Sequence, residues 1–264
     1  MKNKFLRTQI IFWFMVALLL GNGSGSACAD ITTGLVAWWK MEEATGVNLT
    51  DSSGNGYTGT ATGSPVSTLP CPRGKCLNFN GTSQSVNIPG NIAALDNASA
   101  FTISAWANFT GQKASTWAGT IISKISAWNT TKDLLFGLIG GLLLFQINKG
   151  VDGSGYFSFS SYGQWVLLTS VFDGTQTGNA GRMKIYLNGV NQTLMFDYTV
   201  PAVSESMSGY PQNIGIYLTD YGTSMYGYID DVRIYNRALS EADVRELYRS
   251  SVISRAHLGT AVIR

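Results

Sequence analysis

Two adjacent carboxylates, Asp230 and Asp231, stand in a segment whose neighbours Ile229, Val232 and Ile234 are apolar. A strand of this pattern carries at least one carboxylate toward a dry interior, where it must be ion-paired, hydrogen-bonded or metal-bound. Arg233 and Lys40 are the cations in reach of an ion pair with Asp231. Acid–base chemistry is harder to assemble. The single histidine, His257, lies in the C-terminal stretch, so no serine has an imidazole base within the main body of the chain. No E-x-D-x-E cluster sets two carboxylates on one strand face, as proton donor and partner for a glycosidic bond. Cys71 and Cys76 flank Pro72 and Gly74 in CPRGKC, a tight turn that brings the sulfurs within disulfide reach in an oxidising compartment. Trp117, Trp128, Tyr162, Tyr210 and Tyr221 sit beside Gly, Ser and Asn in loop-like stretches. Such rings, with amides nearby, can stack on a sugar face, or else cap loop ends over the core. Trp38, Trp106 and Trp165 fall within strand patterns and are assigned to the core or the sheet faces.

The elements that position these residues are strands. Short runs of Val, Ile, Phe, Tyr and Trp recur between Gly, Asn, Asp and Ser clusters, an all-β pattern that requires two packed sheets or a barrel. Strands are predicted near 35–40, 57–62, 75–79, 84–88, 101–109, 119–125, 134–139, 142–147, 155–159, 165–172, 182–188, 193–197, 213–218 and 226–235. In FTISAWANF, Phe101, Ile103, Ala105, Ala107 and Phe109 share one side, which predicts a sheet with one dry face. Asn80-Gly81 and Asn188-Gly189 predict hairpin turns, because Asn-Gly tolerates positive φ. The one helix signal begins at Ser240, where Ser240 and Asp243 make a capping box and Val244, Leu247 and Tyr248 an apolar stripe. Residues 249–264 carry no acidic residue and read as a basic C-terminal tail or frayed end.

The N-terminus has the charge pattern of an export leader. Lys2, Lys4 and Arg7 precede an apolar run and the small-residue stretch Ala27-Cys28-Ala29, so residues 1–29 read as a signal peptide cleaved before Asp30. The alternative, a lipidated Cys28, lacks the usual Leu three places upstream, where Gly25 stands in Gly25-Ser26-Ala27. The apolar run is too short to span a bilayer, and no later segment spans one, so the expected product is secreted or displayed at the cell surface. Of 18 basic residues, three lie in the leader and three in the tail, leaving 12 against 16 acidic residues between Asp30 and Tyr248. That balance, without a basic stripe, excludes nucleic acid as a natural partner.

Seven segments, in order, resemble the laminin-G-like family of bacterial extracellular proteins within the concanavalin-A-like lectin/glucanase superfamily: LVAWWKMEEATG, DSSGNGYTGT, LNFNGTSQSVNIP, FTISAWANF, QWVLLTSVFDG, MKIYLNGV and GYIDDVRIYNRALSEADVRELY. The resemblance implies a jelly-roll sandwich of two antiparallel sheets with one short C-terminal helix, filling a single domain over residues 30–248. It also implies a structural calcium held first by Asp230, with Glu42 or Glu43, and Asp51, as candidate partners. Polysaccharide lyases on a similar jelly roll need a His or Tyr base with Arg and Gln neighbours, and the only histidine lies in the tail. The expectation is therefore a non-catalytic module for carbohydrate or an extracellular glycoconjugate. A structural or adhesive surface protein that contacts other proteins is the alternative, and a glycan-cleaving enzyme is a more remote one.

Overall fold

The computed structural model describes residues 30–45, 48–111, 118–125, 132–148, 152–217 and 224–260. Among these, the chain builds two eight-stranded antiparallel sheets. In the first, β6 (Ala100–Phe109) and β16 (Tyr226–Tyr235) lie at the centre. β11 (Val166–Asp173), β12 (Met183–Leu187) and β13 (Val190–Asn191) extend one side; β4 (Gly74–Asn80) and β3 (Val66–Cys71) extend the other, and β1 (Leu35–Trp39) pairs with the end of β16. The second sheet runs β14 (Met195–Asp197), β10 (Asp152–Ser158), β9 (Leu142–Asn148), β8 (Leu134–Ile139), β7 (Ala118–Lys124), β15 (Gln212–Ile214), β5 (Ser85–Ile88) and β2 (Thr60–Thr62). The core between the sheets is built from inward alternating positions. Phe101, Ile103, Ala105, Ala107 and Phe109 of β6 all face it, and Phe101 meets Phe145 of β9 edge-to-face at 5.9 Å.

The other face of β6 is not wet, contrary to the one-dry-face expectation. Trp106 joins Leu167, Val171, Tyr186, Tyr235, Leu239, Val244 and Leu247 in a second apolar cluster. The cover is helix α2 (Glu241–Thr260), which follows α1 (Asn179–Arg182) in chain order. Its start is the expected capping box: Asp243 N–H donates to Ser240 Oγ at 3.1 Å, and Ser240 N–H to Asp243 Oδ2 at 2.9 Å. Thr102 staples the approach to the helix, its hydroxyl donating to the Arg237 carbonyl and accepting from Leu239 N–H. Helix continues through Thr260, past the boundary expected at Tyr248.

The turns divide the same way. Asn188 and Gly189 both take positive φ and close the β12–β13 hairpin as expected. Asn80-Gly81 does not make a hairpin. Only Gly81 is left-handed, Asn80 Oδ1 accepts from Thr82 and Ser83, and the chain crosses there from β4 in one sheet to β5 in the other. Strand β3 has no counterpart among the expected strands. It carries Pro70 and largely exposed side chains, which an edge strand tolerates and periodicity does not reveal. Cys71 and Cys76 are joined across the β3–β4 hairpin, Cα atoms 5.7 Å apart.

If α2 seals the second, smaller core, Leu247→Ala should cost about 2–4 kcal/mol in urea unfolding. Arg245→Ala, on the exposed side of the same helix, should change stability by less than about 0.5 kcal/mol. Equal small effects would mean that the helix is only loosely laid on the sheet.

Candidate functional site

The centre of β16 holds the pair of carboxylates. Its register against β6 slips between Asp230 and Arg233, and Asp231 has φ 50°, so the strand bulges there. A bulge breaks the alternation that would send one of two neighbours outward. Both are therefore enclosed, Asp230 at 0% and Asp231 at 3% exposure. Asp231 is fully paired: Arg233 donates from Nε and Nη2 at 3.1 and 3.0 Å, Trp38 Nε1 donates to Oδ1, and Arg73 Nε lies 3.4 Å from Oδ2. The Trp38 ring lies under the Arg233 guanidinium and Lys40 Nζ, 4.5 and 4.3 Å from its centroid. Lys40 thus meets this cluster through the ring.

Asp230 is less well served. Its Oδ2 accepts from Arg73 N–H at 3.0 Å, while the buried Oδ1 has no hydrogen-bond partner. Burial, the neighbouring Asp231 charge and the Glu42 charge push its carboxyl up to about 8, against the pull of the Arg73 amide. The tip of the disulfide hairpin thus seats on Asp230. Glu42 braces the other side of that tip, its Oε2 accepting from Lys75 N–H at 3.1 Å. A Cβ at Gly74 would fall 2.3 Å from Glu42 Oε1, and Gly74 has φ 96°, so this turn requires glycine.

Of the four expected metal ligands, Asp230 and Glu42 hold opposite sides of the hairpin tip, and the Glu42 charge bears on Asp230. Glu43 Oε1 accepts from Thr50 N–H at 2.9 Å, while its buried Oε2 has no hydrogen-bond partner. Asp51 organises the turn after β1, accepting from the N–H groups of Trp38, Ser53 and Tyr57 and from the Ser53 hydroxyl. Burial would raise its carboxyl, but these donors outweigh it and hold the group below the usual range. Among the described residues no three His, Cys, Asp or Glu side chains cluster as a metal cage.

Of the expected sugar-stacking rings, Trp117, Trp128 and Tyr221 lie outside the described residues. Tyr162 and Tyr210 are partly buried and pack on the inter-sheet core, Tyr162 edge-on to Phe159 at 5.4 Å.

A concavity that sequence patterns did not indicate opens on the outer face, where α2 begins beside β11 and β12. Its volume is about 310 Å3, at the small end of ligand sites. Val171, Ala238 and Leu239 give it an apolar floor; Asp173, Lys184, Tyr186, Asn191 and Glu241 supply polar groups. Tyr186 is 3% exposed. Burial, followed by the Glu241 charge, raises its phenol, so it serves as a neutral O–H donor near neutral pH. Asp173 is held in place by the Thr175 backbone and hydroxyl and by Gln176, and Glu241 by Arg245. A shallow polar cup with an apolar floor and both donors and acceptors suits a polyhydroxylated ring.

Residues 80–245 match the family model described as the concanavalin A-like lectin/glucanases superfamily. No curated protein sequence matches the chain. Among solved structures, domain 4 of AbnA, a GH43 extracellular arabinanase from Geobacillus stearothermophilus, in complex with arabinotriose, superposes with TM-score 0.59 at 20% identity over 81% of this chain and 98% of that one. Botulinum neurotoxin type C, a protein that interacts with two ganglioside molecules, gives TM-score 0.59 at 20% identity over 84% of this chain and 52% of that one. The binding domain of Paraclostridial Mosquitocidal Protein 1 gives 0.62 at 18%, over 84% and 53%. The chain spans about half the length of these last two, and at such identities the likeness is one of fold.

The state of Asp230 predicts a pH dependence. The unfolded carboxyl titrates near 4 and the folded one at about 8, so between these values the folded state holds a proton that the unfolded state lacks. This contribution is complete below the unfolded value and is lost as pH rises through about 8. In chelator, the wild-type melting temperature should fall more steeply from pH 5 to pH 9 than that of Asp230→Asn. Parallel curves would show that Asp230 is ionised throughout.

Proposed function

The chain belongs to the concanavalin A-like lectin/glucanase superfamily, and on that premise we propose that it is an exported, non-catalytic module that binds carbohydrate. The observation that carries this reading is the polar concavity beside Tyr186, whose size and mixed lining suit one or two sugar rings. The fold is shared with a domain bound to arabinotriose and with a toxin that interacts with gangliosides, which supports a glycan as the ligand class. The Cys71–Cys76 bond and the leader-like residues 1–29 support an oxidising, extracytoplasmic setting. Among the described residues no helix is long and apolar enough to cross a membrane. Among the described residues, Asp230, whose carboxyl is raised toward the range of a general acid, is sealed from solvent and cannot reach a glycosidic oxygen, which favours binding over cleavage.

A second reading, contact with other proteins, is favoured by Val190, Met195 and Tyr198. These side chains are 63%, 53% and 68% exposed, close together in sequence where the chain passes from one sheet to the other. Size-exclusion chromatography distinguishes a self-associating protein from a monomer.

Calcium belongs to the same proposal. The unpartnered Asp230 Oδ1, with the Glu42 carboxylate whose charge bears on it, would be the anionic ligands of a hard cation. Such an ion would supply charge neutralisation and lock β16 to the hairpin tip, with no part in bond chemistry.

On a broad glycan array the mature protein should give hits with micromolar to millimolar affinity, about 4–8 kcal/mol. Tyr186→Phe should weaken the best hit roughly 5- to 10-fold, the worth of one hydrogen bond, with little change in melting temperature. An array without hits, or release of reducing ends from a bound polysaccharide, would contradict the reading. Separately, millimolar calcium should raise the melting temperature by a few degrees, and Asp230→Asn should remove that response. Identical melts in calcium and in chelator would dispose of the ion.

A further inference from the structure

At the end of β7, Lys124 is enclosed to 1% side-chain exposure, and its amine meets two groups at once. Nζ lies 2.6 Å from Asn91 Oδ1 and 2.5 Å from Asp96 Oδ1. Asp96 closes the triangle, its Oδ2 accepting from Asn91 Nδ2 at 2.8 Å. Its Oδ1 also accepts from Met207 N–H at 3.3 Å, which fixes the carboxylate. Asn91 is held as firmly. Gln212, opposite Lys124 in the β15–β7 ladder, donates to the Gly90 carbonyl at 3.0 Å and accepts from Ile92 N–H at 3.3 Å, so it clamps the backbone on both sides of Asn91.

An ion pair alone would need only Lys124 and Asp96. Here the amide carbonyl faces the amine, while the amide nitrogen faces the acid. The carbonyl carbon is one bond beyond an oxygen already in hydrogen-bond contact, close to the roughly 3–3.5 Å of a near-attack arrangement. Burial pulls the Lys124 amine below the ordinary lysine value, against the opposing pull of Asp96, so the nucleophilic neutral form is more accessible than on an exposed lysine.

We infer that Lys124 and Asn91 become covalently joined in the folded protein by an isopeptide bond between Nζ and Cγ, with Asp96 as the catalytic proton carrier. Asp96 takes a proton from the Lys124 ammonium, and the freed amine attacks Asn91 Cγ. The Nζ–Cγ bond forms as the Cγ–Nδ2 bond breaks. Asp96 delivers its proton to Nδ2, then receives the second Nζ proton, and the nitrogen departs as ammonia. The products are a secondary amide and one ammonia, with no oxidant or cofactor consumed. The bond ties the loop after β5 to β7 across β15, which pairs with both strands.

The test is a peptide map of the full exported chain after reduction, alkylation and trypsin. The expected species is residues 76–113 joined to residues 114–132, uncut after Lys124 and about 17 Da lighter than the two peptides together. Mapping also separates this link from cyclisation at an Asn-Gly pair, which loses the same mass without joining two peptides. In Asp96→Asn, and in Lys124→Met, the joined species should vanish; cleavage after residue 124 should return in the former. The wild-type measurement is made on unfolded peptides and does not depend on either variant folding. Free peptides ending at Lys124 in the wild type would overturn the inference, leaving an ordinary buried ion pair. A deficit of about 18 Da, which marks Asp96 as the acceptor, or a link that persists in Asp96→Asn, would overturn the assignment of Asn91 and Asp96.

Discussion

The middle of β16 has water on neither side. Its inner residues Ile229, Val232 and Ile234 face the second sheet, while Tyr235 faces the cluster under α2. Every polar group on this strand must find a partner inside the protein, because an unpaired buried charge costs several kcal/mol. Arg233 therefore takes Asp231, the disulfide hairpin lends Asp230 a backbone N–H, and the Asp230 oxygen left without a partner goes with a raised affinity for a proton. The outer concavity has the same origin. A helix that begins beside a sheet it must cover leaves a gap at its first turn, bounded by β11 and β12.

Much of the fold was legible from alternation alone. Residues 101–109, 134–139 and 226–235 emerge as strands close to their expected bounds, since each has apolar residues enough to set register. What alternation could not show was that the polar side of β6 is also covered. Thr102 and Ser104 look like surface residues by type, and only a helix over 100 residues later in the chain closes off the face they share with Trp106. Strand β3 and the sheet-to-sheet passage at Asn80-Gly81 were hidden for a local reason. Edge strands obey pairing rather than burial, and an Asn-Gly pair permits a hairpin without requiring one.

The site was legible in proportion to how local its chemistry is. Asp230 was marked by the apolar residues around it and the disulfide by its short spacing. That Arg73 of the hairpin lands on Asp230 depends on a contact 157 positions apart, and no pattern announces it. Asp51 has a ligand-like residue type but spends its oxygens on the turn that carries it. The concavity draws on three separated segments, and the Lys124, Asn91 and Asp96 triangle joins a strand end to a loop, so neither has a one-dimensional signature.

The proposed sugar site is the seam between α2 and the outer sheet. The most direct measurement is an NMR titration of the isotopically labelled protein with an oligosaccharide that it binds. The largest amide shifts are expected at Lys184, Tyr186, Asn191, Leu239 and Glu241, saturating together at one affinity. Saturable shifts elsewhere in the chain, with these five amides unmoved, would contradict it.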